Sequence, residues 1–125
     1  VAAAGISLGL VLSGCGNSGL TLAREACTHV DRSITLYTRS VRESDAQQAG
    51  ADRTGAIVQL EEALPLAAQA TSADPQWNPL MTTLEEAGVN SESHLVAALR
   101  AQCTLADSQN EQAPIIVPNG PSSST

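Results

Sequence analysis

Phenylalanine and lysine are absent from this 125-residue chain, and tryptophan and tyrosine occur once each, as Trp77 and Tyr37. Without large aromatic rings, a core has to be assembled from leucine, valine, isoleucine and many alanines, which bury less area per residue. A small domain built that way has a thin stability margin and gains from a covalent staple. The bases are 6 arginines against 13 acids, a net charge of −7. They form no basic cluster along the sequence. Nothing along the sequence therefore neutralises phosphates in series, which argues against nucleic acid as a partner and against membrane residence through surface charge. Bases that are all arginine, together with abundant alanine, point to a high-GC genome such as that of an actinobacterium. No Gly-rich phosphate loop, Gly-x-Ser-x-Gly, His-Glu-x-x-His or calcium loop occurs, so no motif names a reaction, a metal or a cofactor.

What is present begins with Val1 to Leu12, all small or apolar apart from Ser7. The run is too short to span a bilayer as a helix and has the length of a signal-peptide h-region. Leu12-Ser13-Gly14-Cys15 closes it, with small residues that let a peptidase reach the backbone before a thiol. Over residues 1–15 the pattern resembles the lipoprotein signal peptides of bacteria. The resemblance implies cleavage before Cys15, lipid on the Cys15 thiol, and residence on the outer face of the cytoplasmic membrane. Such peptides start with Met and a basic stretch, and no Arg or Lys precedes Arg24, so the expectation is a start that is truncated or miscalled. The alternative is a buried helix over 1–14, which Gly5, Gly9 and Gly14 oppose.

After lipidation of Cys15 two thiols remain, Cys27 and Cys103. In an extracytoplasmic chain they read as a disulfide, worth roughly 4–5 kcal/mol as an upper figure from chain entropy. The competing reading is a metal site of Cys27, His29 and Cys103, which lacks the paired close spacings of zinc ligands.

Helical periodicity fills the rest of the chain, with almost no strand signal. Ala23, Cys27, Val30, Ile34, Tyr37 and Val41 form one stripe, with Arg39 and Glu43 spaced to pair beside it. Residues 44–55 read as a polar turn, with Gly50 a helix stop and Asp52 an N-cap. Ile57, Leu60, Leu64 and Ala67 mark a second helix, flanked by Ala56, Ala63 and Ala70, whose small side chains admit a close neighbour. Pro65 is expected to bend or break that helix. Asp74-Pro75 and Asn78-Pro79 introduce a short third helix through Leu80, Met81, Leu84 and Ala87, ended by Gly88. Asn90 or Ser91 caps a fourth, with Glu92 in its first turn and Val96, Leu99, Cys103 and Ala106 on its stripe. Cys27 and Cys103 thus both fall on core faces.

The expected fold is all-α: a small antiparallel bundle of three to four helices over residues 20–106, its first and last helices joined by the disulfide. Residues 1–14 would be the signal peptide, 15–19 the lipidated cysteine and linker, and 107–125 a polar, Pro/Ser-rich disordered tail. The whole resembles small helical lipoproteins of actinobacteria, a resemblance that implies no activity. Two functions are compatible with it. One is a non-catalytic interaction or binding module that contacts an envelope protein or small molecule, with Trp77 and the tail triplet Ile115, Ile116 and Val117 as partner contacts. The bland readings of those residues are a Trp77 that closes the end of the bundle and a triplet that folds back on it. The other function is an envelope hydrolase or metal-dependent enzyme that uses His29 or His94 with glutamates from another helix.

Overall fold

Ser18 starts the first helix, its Oγ accepting a bond from the Thr21 amide at 3.1 Å and so satisfying one of the amides a helix start leaves unpaired. In the computed structural model, which describes residues 18–109, α1 runs Gly19–Arg42. Arg39 and Arg42 occupy its last turn, where cations favour the helix dipole. Asp45 caps α2 (Ala46–Ala73) through a 2.9 Å bond from the Gln48 amide. Asp74 and Pro75 then open a 3₁₀ turn, Pro75–Trp77, that leads into α3 (Asn78–Glu85). A second such turn, Glu86–Gly88, precedes α4 (Glu92–Ser108). The chain is all-α, as the periodicity predicts, and no described helix is long and apolar enough to cross a membrane.

Side-chain bonds give the register. From α1 to α4, Arg24 Nε donates to the Ala106 carbonyl at 3.1 Å, Cys27 is bonded to Cys103, and Ser33 reaches Glu92. From α1 to α2, His29 meets Gln59, Ser33 meets Ala56 and Arg39 meets Asp52. In both series the partner numbers fall as the α1 numbers rise. α1 is therefore the central helix, antiparallel to α2 on one flank and to α4 on the other, with α3 bridging the two flanks.

Ala49, Ala56, Ala63 and Ala70 recur every seven residues along α2 and are all buried. Their single methyl groups let α1 and α2 approach closely, so this pair forms the most extensive contact in the fold. The approach is tightest where α1 begins. A Cβ on Gly19 would lie 2.8 Å from Asp74 Cβ and 3.1 Å from the Ala70 carbonyl, so only glycine fits. The larger side chains Trp77, Leu80, Leu84, Leu95 and Leu99 fill the space between α3, α4 and the hairpin. Each such leucine contributes about 1.5–3 kcal/mol by leaving water.

The structure corrects the sequence reading between the first two helices. Residues 46–55 are helical, not a turn, and neither Gly50 nor Asp52 plays its expected part. Asp45 is the cap instead. Asp52 lies inside α2, 2% exposed, with Oδ2 and Oδ1 accepting Arg39 Nε at 2.9 Å and Nη2 at 2.6 Å. Arg39 thus pairs across the hairpin and not with Glu43, because a planar fork meets a carboxylate best with two parallel bonds. Gly55 is useful within the helix, since a Cβ there would crowd Leu36 Cδ1 at 3.2 Å. Pro65 does not break α2. It and Glu61 are both exposed, on the side where water can take the carbonyl that the ring leaves unbonded.

Candidate functional site

Because α4 starts beside Ser33, the far ends of α1 and α2 project beyond it as a two-helix tip. The apolar stripe of α1 continues into that tip without a third helix to cover it, which leaves Val41 62% exposed, and Ile57 at the edge of the tip is 51% exposed. Where the tip meets the α3–α4 connection lies a cavity of about 300 Å³, near the lower bound for small-ligand sites. Ile57, Leu60 and Ala87 form its floor, and Tyr37, Arg53, Asn90, Ser91 and Glu92 its rim. The same three floor residues continue into a second hollow of about 180 Å³, whose other walls include Leu64, Leu84, Glu61 and Glu85. The two hollows make one apolar trough along α2 with polar edges.

Glu92 is the chemically distinctive residue of this site. Ser33, fully buried on α1, places its Oγ 2.7 Å from the Ala56 carbonyl and 2.7 Å from Glu92 Oε1. A hydroxyl has one hydrogen and can donate to only one of these oxygens at a time. Both contacts are satisfied when Glu92 is neutral, its carboxyl O–H donating to Ser33 while Ser33 donates to Ala56. When Glu92 is ionised, Ser33 turns its hydrogen to the carboxylate and leaves two lone pairs facing each other at Ala56. Burial accordingly raises the Glu92 pKa above the ordinary glutamate value, and the Ser33 bond opposes it less strongly. Asp52 behaves in the opposite way, because the bonds from Arg39, more than any other influence, lower its pKa.

The other expected site residues are dispersed. His29 Nδ1 lies 2.8 Å from Gln59 Oε1 and 3.2 Å from Glu62 Oε2. Both neighbours are oxygen acceptors, so this nitrogen carries the hydrogen. Among the described residues one carboxylate meets it, not the two that the enzyme reading requires. His94 is exposed at the start of α4, beside Ser91. Cys27 and Cys103 are bonded to each other with Cα atoms 5.5 Å apart, which removes both from the metal reading. Among the described residues no group of three or more His, Cys, Asp or Glu is placed to hold a metal. Trp77 is 1% exposed, so it closes the end of the bundle and offers no surface to a partner. Its Nε1 finds no acceptor among the described residues. Cys15, Ile115, Ile116 and Val117 lie outside the described residues.

Sequence reasoning missed Ser33 and gave Asp52 a different role, although both left a trace. Each is a polar residue at a buried helical position, Ser33 between Val30 and Ile34 and Asp52 between Ala49 and Ala56. A polar group at such a spot needs a partner from another element. Sequence reasoning also missed a basic grouping, because Arg100 is remote in sequence from Arg39 and Arg42, yet all three line one cavity. Compared with models of known families, with curated proteins and with solved structures, the chain matches none.

Proposed function

We propose that this chain is an extracytoplasmic lipoprotein, anchored through Cys15, whose bundle is a non-catalytic binding module. The trough along α2 carries the binding part of the reading, since it pairs an apolar floor with a few convergent polar groups, the usual make-up of a ligand site. The Cys27–Cys103 disulfide supports the compartment, because such bonds persist where the surroundings are oxidising. The lipobox resemblance supports the anchor. Gly16 to Ser18 would then hold the bundle within roughly 20 Å of the bilayer, at 3.3–3.6 Å per extended residue, a distance suited to an envelope partner or a ligand near the headgroups. No observation favours the hydrolase alternative, since His29 meets a single carboxylate and His94 faces solvent.

Intact mass of the protein from the membrane fraction of a lipoprotein-processing host tests the anchor. The expected mass is that of the chain from Cys15 onward plus a diacylglyceryl group, with two thiols alkylated only after reduction. An unlipidated mass that retains residues 1–14 would overturn it. Native mass spectrometry of the same preparation tests the trough. A small-molecule adduct is expected in the wild type and not in Ile57→Arg, whose side chain would fill the floor. An adduct of equal occupancy in both would place binding elsewhere.

A further inference from the structure

The cavity on the opposite flank of α1 has a different character. It measures about 420 Å³ and is lined by Ile34, Thr35, Thr38, Arg39, Arg42 and Arg100. Half of the chain's 6 bases therefore meet in one hollow of a protein whose net charge is −7. We propose that this hollow is an oxyanion site that takes a phosphate group.

Three features argue for an anion there. First, the arginines come from two helices: Arg39 and Arg42 sit one turn apart on α1, and Arg100 arrives from α4. Guanidinium groups that converge from separate elements can hold a tetrahedral anion from more than one side, and each offers a planar donor fork that matches its oxygens. Second, Arg39 is fixed before any ligand arrives. Asp52 holds its Nε and one terminal nitrogen, yet 56% of the side chain is exposed, so the remaining donors are presented at little further cost in rotamer freedom. Third, among the described residues no acid is bonded to Arg42 or Arg100, although Glu43 acts on Arg39 and Asp31 on Arg100 through space. Asp52 spends both oxygens on Arg39 and also accepts from Gln48. Two of the three guanidiniums are thus uncommitted.

The hollow lies toward the Arg42 end of α1. That end is about 35 Å from Gly19 at 1.5 Å per residue. The inference stands apart from the trough and from the anchor, since it needs neither. The phosphate could be free or could belong to a lipid headgroup, and the chemistry of recognition is the same.

The test is titration of the full chain with inorganic phosphate at constant ionic strength, read from the arginine Nε–Hε resonances. Chloride serves as the control. Vesicles of phosphatidylglycerol, compared with phosphatidylcholine, form a second arm. Saturable shifts of Arg42 and Arg100 are expected, with affinity weakened at least tenfold in Arg42→Gln and in Arg100→Gln. Arg32→Gln, which lines neither this hollow nor the trough, should leave it unchanged. If phosphatidylglycerol vesicles bind where free phosphate does not, and the same two variants abolish that binding, the site takes a headgroup phosphate. Binding indifferent to Arg42 and Arg100, or none in either arm, overturns the proposal. Both arginines are exposed, so a melting curve for each variant close to the wild type separates lost binding from lost folding.

Discussion

The two ends of the bundle are held together by different forces. At the base, where α1 begins and α4 ends, Cys27–Cys103, Trp77 and the leucines of α3 and α4 join three layers into one apolar core. At the tip, among the described residues, α1 and α2 pack chiefly on each other, and what lies between them is small or polar: Ala49, Ser40 and the Asp52 carboxylate on Arg39. The base is stabilised by area and covalent closure, the tip by one hydrogen-bonded ion pair. Area-based stabilisation is indifferent to pH and salt over ordinary ranges, whereas a charge pair is not. The base should behave as a scaffold and the tip as the part that responds to its surroundings. The trough lies at the junction of the two.

The hardest blow falls on the base. Reduction, or Cys27→Ser with Cys103→Ser, is expected to cost up to roughly 4–5 kcal/mol by the chain-entropy argument. Thermal melts should show the drop, and hydrogen exchange should show α4 losing protection before the α1–α2 hairpin. Equal loss in hairpin and α4 would erase the distinction drawn above. Trp77→Ala removes the largest fully buried side chain and should cost about 3–5 kcal/mol. Gly19→Ala forces a methyl group against Asp74 and Ala70, an overpacking worth about 1–3 kcal/mol. Chemical denaturation would measure both, and a neutral Gly19→Ala would mean that the start of α1 swings aside.

The smaller effects belong to the tip and the junction. Asp52→Asn should speed amide exchange in residues 46–56 while leaving α4 alone, because only the tip depends on that charge. The pH dependences then diverge in sign. The depressed Asp52 pKa means that its contribution is present above the unfolded carboxylate value of about 3.9 and is lost as pH falls through the lower folded value. The raised Glu92 pKa means the reverse. Its contribution is complete below the unfolded value of about 4.3 and is lost as pH rises through the higher folded one. Acid should loosen the tip, while rising pH should loosen the start of α4. Glu92→Gln keeps a donor toward Ser33 without a titrating proton. Its melting temperature should therefore stop falling across the Glu92 window, and an unchanged slope would reject the proton accounting at Ser33.

Much of the base was legible because its signals are local and repeated. The stripe through Ala23, Cys27, Val30 and Ile34 and the stripe through Leu99, Cys103 and Ala106 put both thiols on core faces, and the disulfide followed. Ala56, Ala63 and Ala70 announced the close helix pair. The tip was not legible, for the same reason that it is held differently. Gly50, Gly55 and a run of polar residues have turn-like propensity, and what overrides propensity there is Asp45 at the cap and the Arg39–Asp52 pair across the hairpin. Neither the trough nor the arginine hollow has a sequence signature, since each draws residues from helices more than a dozen positions apart.

The amino-acid sequence determined the all-α class, the apolar faces and the positions of the thiols, because these depend on periodicity and residue type within one segment. It also carried the lipobox resemblance, a pattern of consecutive residues. Only the tertiary structure decided which polar groups are buried together, where α4 stops covering α1, and that Arg100 joins Arg39 and Arg42. Those outcomes depend on distances between segments, and desolvation and charge pairing act through space and not along the chain.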